Sequence, residues 1–326
     1  MAQDISFYKG AATSPTEFAA VASFDALEQG DELSGTAVLL KFSTIFGWSK
    51  RLIVEERRMA DVATLELSKG TTAPYALSED GELFDFQSTA PVVSLENLNG
   101  VAMRSAFRQG ADNYIIGDSG YYFRARDASG FQLMTDAHIL PRPDWDADDD
   151  EMNAYFKSQT YIMNAAIGPY GRVAMTEISK VLFLESDLSL TEVLDPRIFV
   201  GVCHDPVTYE FWFCGHSPTP IVARENAPGQ LRVVETAPRG SHTFTDLTLF
   251  GDDIYLADTD LKAGGLFVLT APATAGSNVA AVELPVDFGT APVWKVEAMD
   301  GILWVLRVKD LLRFDGQQWE RFVPEG

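Results

Sequence analysis

The residues best suited to chemistry lie in one short run, Pro141-Arg-Pro-Asp-Trp-Asp-Ala-Asp-Asp-Asp-Glu-Met152, with six carboxylates and one Arg in the eleven residues 142–152. Asp144, Asp146 and Asp148 imitate the first three ligands of a calcium loop. Position six would then be Asp149, where the sharp turn needs Gly, and position twelve would be Tyr155, where a bidentate Glu is needed. The oxygen count is too low for calcium, so no metal is expected. Instead, Asp148 is placed to cap a short helix over 149–157, whose first-turn acids suit its dipole while Met152, Tyr155 and Phe156 face inward. Such a loop would present an aromatic anchor inside a negative rim. Asp144, Trp145, Asp146, Asp148, Asp149, Asp150 and Glu151 are therefore the candidate contact set for a basic protein.

Other reactive side chains are scattered. Cys203, His204, Cys214 and His216 flank one expected hairpin, but adjacent Cys203 and His204 point to opposite faces of a strand and do not converge on zinc. The remaining histidines, His138 and His242, have no Gly-x-Ser-x-Gly elbow or phosphate loop beside them. No catalytic residue and no cofactor are assigned.

Charge narrows the partners. With 25 Lys+Arg against 47 Asp+Glu the net charge is −22, which repels phosphates and anionic headgroups, so neither nucleic acid nor membrane is expected. No run approaches the roughly 20 apolar residues of a membrane helix, and Met1 to Lys9 carries no secretory pattern. The two cysteines bracket the turn Asp205-Pro-Val-Thr208 out of register, which predicts free thiols in the cytoplasm.

The elements that must position these residues are short strands. At the C-terminus, 291–300, 302–308, 310–314 and 317–322 read as four strands, with Asp300-Gly301 and Asp315-Gly316 supplying turns. Related units recur over 73–98, 101–134, 161–194, 198–235 and 242–284, and 36–67 is a further copy. Their second strands start near residues 82, 113, 172, 209, 253 and 302. Repeats of roughly 40 to 50 residues with four strands each are the mark of a propeller blade. Continuously apolar strands such as Ile302-Leu-Trp-Val-Leu306 fit sheets covered on both faces.

On these repeats the chain resembles a β-propeller, with Asp310-Leu-Leu-Arg-Phe-Asp-Gly-Gln-Gln-Trp319 similar to the outer half of sensor-type blades. Neither Gly-His and Trp-Asp pairs nor recurrent Gly-Gly doublets are present, so no subfamily is indicated. The resemblance implies an all-β fold, seven blades of four antiparallel strands, with six or eight as alternatives. Residues 1–33 are expected to be an extension packed on the propeller. Within it, Ser14-Pro-Thr-Glu17 reads as the capped start of a short helix closed by Gly30. Residues 34–326 then form one propeller with an acidic helical insertion at about 135–160.

The leading functional expectation is a non-enzymatic propeller that engages a basic or neutral protein through an acidic surface. An immunity-type protein that neutralises a toxin is its specific form. The alternative is a propeller hydrolase or lactonase with a metal in the central channel, held by acids such as Asp118, Glu185 and Asp258. A third reading, carbohydrate binding or sensing, rests on Trp145, Trp212, Trp294 and Trp319.

Overall fold

A computed structural model describes residues 5–24, 36–96, 98, 101–118, 122–126, 130–135, 150–151, 161–177, 180–195, 197–216, 221–236, 243–260, 264–270 and 279–324. Among them the strands form seven antiparallel sheets, each built from strands consecutive in sequence. The sheets span 5–54, 59–94, 103–135, 164–194, 198–236, 244–281 and 293–322, here blades 1 to 7. The first strands of the blades touch one another in cyclic order, and that of blade 7 touches that of blade 1, Ile5–Ser14. The chain is a seven-bladed β-propeller.

The physical basis is one apolar core per seam. Seven buried clusters lie between successive blades, and alternate residues of a strand feed alternate seams. In Ile302–Arg307, Ile302, Trp304 and Leu306 pack toward blade 1, whereas Leu303 and Val305 pack toward blade 6. Burial on both faces is what makes these strands continuously apolar.

Ring closure uses no shared strand. Blade 1 comes wholly from the N-terminal region and blade 7 wholly from the C-terminal region. Their seam is held by an aromatic and aliphatic core and by Phe7 N–H donating to Val308 O at 2.8 Å. Lys309 Nζ also donates to Ile5 O at 3.0 Å, and Trp304 Nε1 to Ser14 O at 3.3 Å.

Two sequence expectations are corrected here. The N-terminal helix is instead the strand pair Ile5–Ser14 and Glu17–Phe24, so this segment is the inner half of blade 1 and no helix. The Ser-Pro-Thr-Glu signature misled because a serine hydroxyl that accepts an N–H two residues on serves turns as well as caps. Ser14 Oγ accepts from Thr16 N at 3.1 Å. Phe18, Ala20 and Ala22 then face blade 7 while Ala19 and Val21 face blade 2, a period of two that overrides helix propensity. Blade boundaries shift accordingly. The strand Met59–Ser68 opens blade 2, and Glu82–Asp85 is its third strand, which explains the short apparent repeat there. The expected helical insertion lies outside the described residues except for Asp150 and Glu151, which are exposed.

Candidate functional site

The first strands line the central channel, and six of the seven carry a register shift near their start. Such bulges re-aim the side chain that follows. The residues just past them are Lys9, Asp61, Ser105, Gly201, Asp246 and Lys295. Next to them a cavity of about 290 Å³ is lined by Asp61, Ser105, Asn164, Lys295 and Glu297 among others.

These ionisable groups hold the ring together. Asp61 Oδ2 accepts from Ser105 Oγ at 2.9 Å and Ala106 N at 3.0 Å, joining blade 2 to blade 3. At the equivalent place in blade 6, Asp246 Oδ2 accepts from Val296 N of blade 7 at 2.9 Å, with Lys295 Nζ 3.5 Å away. One step along, Glu297 Oε2 accepts from Ala12 N at 2.8 Å across the closing seam, and Thr248 Oγ1 from Ala298 N at 3.2 Å. Burial raises the pKa of Asp246 and of Glu297 and lowers that of Lys9. Burial also opposes the charge on Lys295, but Asp246, Glu297 and Asp61 outweigh it and hold that ammonium above its ordinary value. In blade 5 the position is Gly201, where a Cβ would lie 2.6 Å from Cys214 Sγ and 2.9 Å from Thr245 O. With their oxygens accepting backbone N–H groups, the channel carboxylates are joints.

The acids considered for a channel metal do not converge. Asp118 follows a second strand and Asp258 ends one, whereas Glu185 follows a third strand and lies at the opposite end of the ring. Asp118 is paired with Arg104 at 2.7 Å and accepts from Ile162 N at 2.8 Å, and Glu185 is paired with Arg172 at 2.9 Å. Nor do the cysteines and histidines of blade 5 meet. His204 sits opposite Phe211 at one end of the hairpin and His216 opposite Ile198 at the other. Cys203 and Cys214 are free thiols whose pKa burial raises. No three of His, Cys, Asp or Glu are grouped to hold a metal among the described residues. Of the tryptophans, Trp212 is in the core between blades 5 and 6, and Trp319 stacks on Phe314 at 4.6 Å. Trp294 is the bulged residue of blade 7, and Trp145 lies outside the described residues, as do Asp144, Asp146, Asp148 and Asp149.

A different group, missed in the sequence, is displayed at the end of the ring where first and second strands are joined. Tyr170 in blade 4 is 92% exposed, and Val207 and Tyr209 in blade 5 are 82% and 64% exposed. Both tyrosines occupy the left-handed region, at φ 59° and 61°, which a bulky L-residue adopts only when its surroundings impose it. The imposing contacts are specific. Gln109 of blade 3 clamps the Pro169-Tyr170-Gly171 turn, its Oε1 accepting from Gly171 N at 3.0 Å and its Nε2 donating to Gly168 O. Asp205 builds the next turn, accepting from Val207 N at 2.8 Å and Thr208 Oγ1 at 2.7 Å, while Tyr209 N donates to its carbonyl at 2.9 Å. The two turns adjoin. A Cβ on Gly168 would fall 2.7 Å from Phe211 and 3.2 Å from His204, whose ring is 6.4 Å from that of Tyr209. Burial lowers the His204 pKa, and its Nε2 has no hydrogen-bond partner among the described residues. The one sequence cue was the turn chemistry of Asp205-Pro206 and Pro169.

No protein-family model and no curated protein matches the chain. Solved structures match along its whole length. YCF48 bound to D1 peptide is 14% identical with a TM-score of 0.66, covering 100% of this chain and 95% of that one. YCF48 from Cyanidioschyzon merolae is 10% identical at 0.64, covering 100% and 98%. The WD40 β-propeller domain of Doa1 is 12% identical at 0.62, covering 100% and 95%. The likeness is one of fold.

Proposed function

We propose that this chain is a non-enzymatic, cytoplasmic protein-binding propeller whose first-hairpin turns in blades 4 and 5 anchor a basic or neutral protein. The observation that carries the reading is the pair of strained, exposed tyrosines, Tyr170 and Tyr209, flanking exposed Val207. Each left-handed tyrosine costs about 1 kcal/mol or more, and tyrosine is enriched at the centres of interfaces. The solved propeller of similar length with a peptide bound supports the same reading.

The acidic set Asp144, Trp145, Asp146, Asp148, Asp149, Asp150 and Glu151 is assigned to electrostatic steering of that partner, in keeping with the net charge of −22. An immunity-type role, capping a cationic active site, is the form that this charge favours.

Tagged protein is to be used to capture partners from native cells at low and high salt. A stoichiometric partner that Tyr170→Asn with Tyr209→Asn releases, and that high salt weakens, is expected. Capture untouched by the tyrosine pair overturns the anchor. Neutralising the acidic run to Asn and Gln without changing the salt dependence overturns its steering role.

A further inference from the structure

A groove of about 740 Å³ runs along the outside of the closing seam, between the last strand of blade 7 and the outer part of blade 1. Phe42, Trp48 and Phe322 form its apolar wall, with Phe42 and Phe322 ring centres 4.3 Å apart and Trp48 5.3 Å from Phe42. Lys50, Arg51 and Arg321 complete it, and no carboxylate lines it among the described residues. In a chain with 47 acids and 25 bases that local balance is the reverse of the whole. The Lys50 ammonium has no hydrogen-bond or ion-pair partner among the described residues, and the residue is exposed. Arg321 shares Asp310 with Arg307, so two guanidiniums meet one carboxylate and a positive charge is left over.

The backbone beside the groove is a sheet edge among the described residues. The outer strand of blade 1 is broken into Gly47–Trp48 and Leu52–Val54, both at the outer edge of the sheet. Between them Ser49 replaces the ladder, its Oγ accepting from Lys41 N at 2.9 Å and its N donating to Lys41 O at 2.7 Å. Ile45 and Phe46, on the adjoining turn, are 77% and 84% exposed. Trp48 Nε1 is shielded from solvent and has no acceptor among the described residues.

We propose that this groove is a second docking site, which takes an extended, acidic peptide segment with an aromatic or large aliphatic residue next to a carboxylate. Lys50 and the surplus charge at Arg321 select the charge, the rings and Phe46 supply the apolar anchor, and the strand edge suits an extended backbone. The site goes beyond the reading above, because its partner is acidic and it does not use Tyr170 or Tyr209. Copies that each carry −22 repel one another, which disfavours a second copy as occupant.

The test is panning of a displayed random library, peptides of about twelve residues, against the intact protein. Enrichment of peptides with Asp or Glu beside Phe, Trp, Leu or Ile is expected. Lys50→Glu should weaken the selected peptides by about tenfold and Lys50→Arg should not, since a rim charge sets much of such recognition. Phe46→Ser should weaken them too, with thermal melting unchanged because both side chains are exposed. The Tyr170→Asn, Tyr209→Asn protein should bind them normally, which separates this site from the tyrosine turns. Selection of no peptide, selection of Lys- and Arg-rich peptides, or affinity indifferent to Lys50→Glu overturns the proposal. So does sedimentation that shows a dimer dissolved by Lys50→Glu, which would assign the groove to a second copy.

Discussion

In the channel, Asp61, Asp246 and Glu297 each accept a backbone N–H from the next blade, and the ring depends on them. On the turns of blades 4 and 5, Tyr170, Val207 and Tyr209 project into solvent while Gln109 and Asp205 hold the turns that carry them. One region turns ionisable groups into joints, and the other uses joints to display aromatic groups. The lesson is that a polar, charged cavity in a propeller is not by itself a site. What marks a site is a bulky, exposed side chain held in a costly conformation.

Breaking the comparison on the channel side should give the largest effect. Asp246→Ala leaves Val296 N–H without its acceptor and removes the nearest carboxylate from Lys295, and about 3 kcal/mol of stability should be lost in denaturant titration. A loss under about 0.5 kcal/mol would mean the carboxylate is no joint. Gly201→Ala comes next, at about 1–3 kcal/mol, since the new methyl meets Cys214 Sγ and the backbone of blade 6. Glu297→Ala should cost about 1–2 kcal/mol by stranding Ala12 N–H, whereas Glu297→Gln keeps an acceptor and should cost little. Equal losses for the two would show that charge, and not the hydrogen bond, matters at the closing seam.

On the turn side stability should move the other way. Asn tolerates the left-handed region, so Tyr170→Asn and Tyr209→Asn should leave stability unchanged or raise it by up to about 1 kcal/mol, while capture of the partner falls. The smallest effect concerns His204. Burial depresses its folded pKa below the unfolded value of about 6.5, so the folded state binds fewer protons. Its contribution is therefore present above that pH and lost as pH falls through it toward the folded value. His204→Leu should flatten the decline of melting temperature between about pH 7 and 5, and an unchanged slope would assign the decline to other groups.

Much of this fold was legible in the sequence. The apolar run 302–306 and the Asp-Gly turns implied stacked four-stranded sheets, and seven sheets form. What failed was local. Ser14-Pro15 uses chemistry common to helix caps and hairpin turns, and only the two seams flanking 17–24 decide between them. The site was less legible. The acidic run stood out by composition, whereas Tyr170 and Tyr209 look like ordinary strand residues until their φ angles and exposure are known. Likewise Lys50 and Arg51 lie far from Arg321 in the chain and meet it only because the ring closes.

The most direct measurement is quantitative capture of the native partner by three proteins side by side: wild type, Tyr170→Asn with Tyr209→Asn, and Asp246→Asn held at a temperature where it is folded. The account predicts at least about tenfold less partner on the tyrosine variant and wild-type amounts on the channel variant. Full capture by the tyrosine variant, with loss on the channel variant, would contradict it and return the site to the channel.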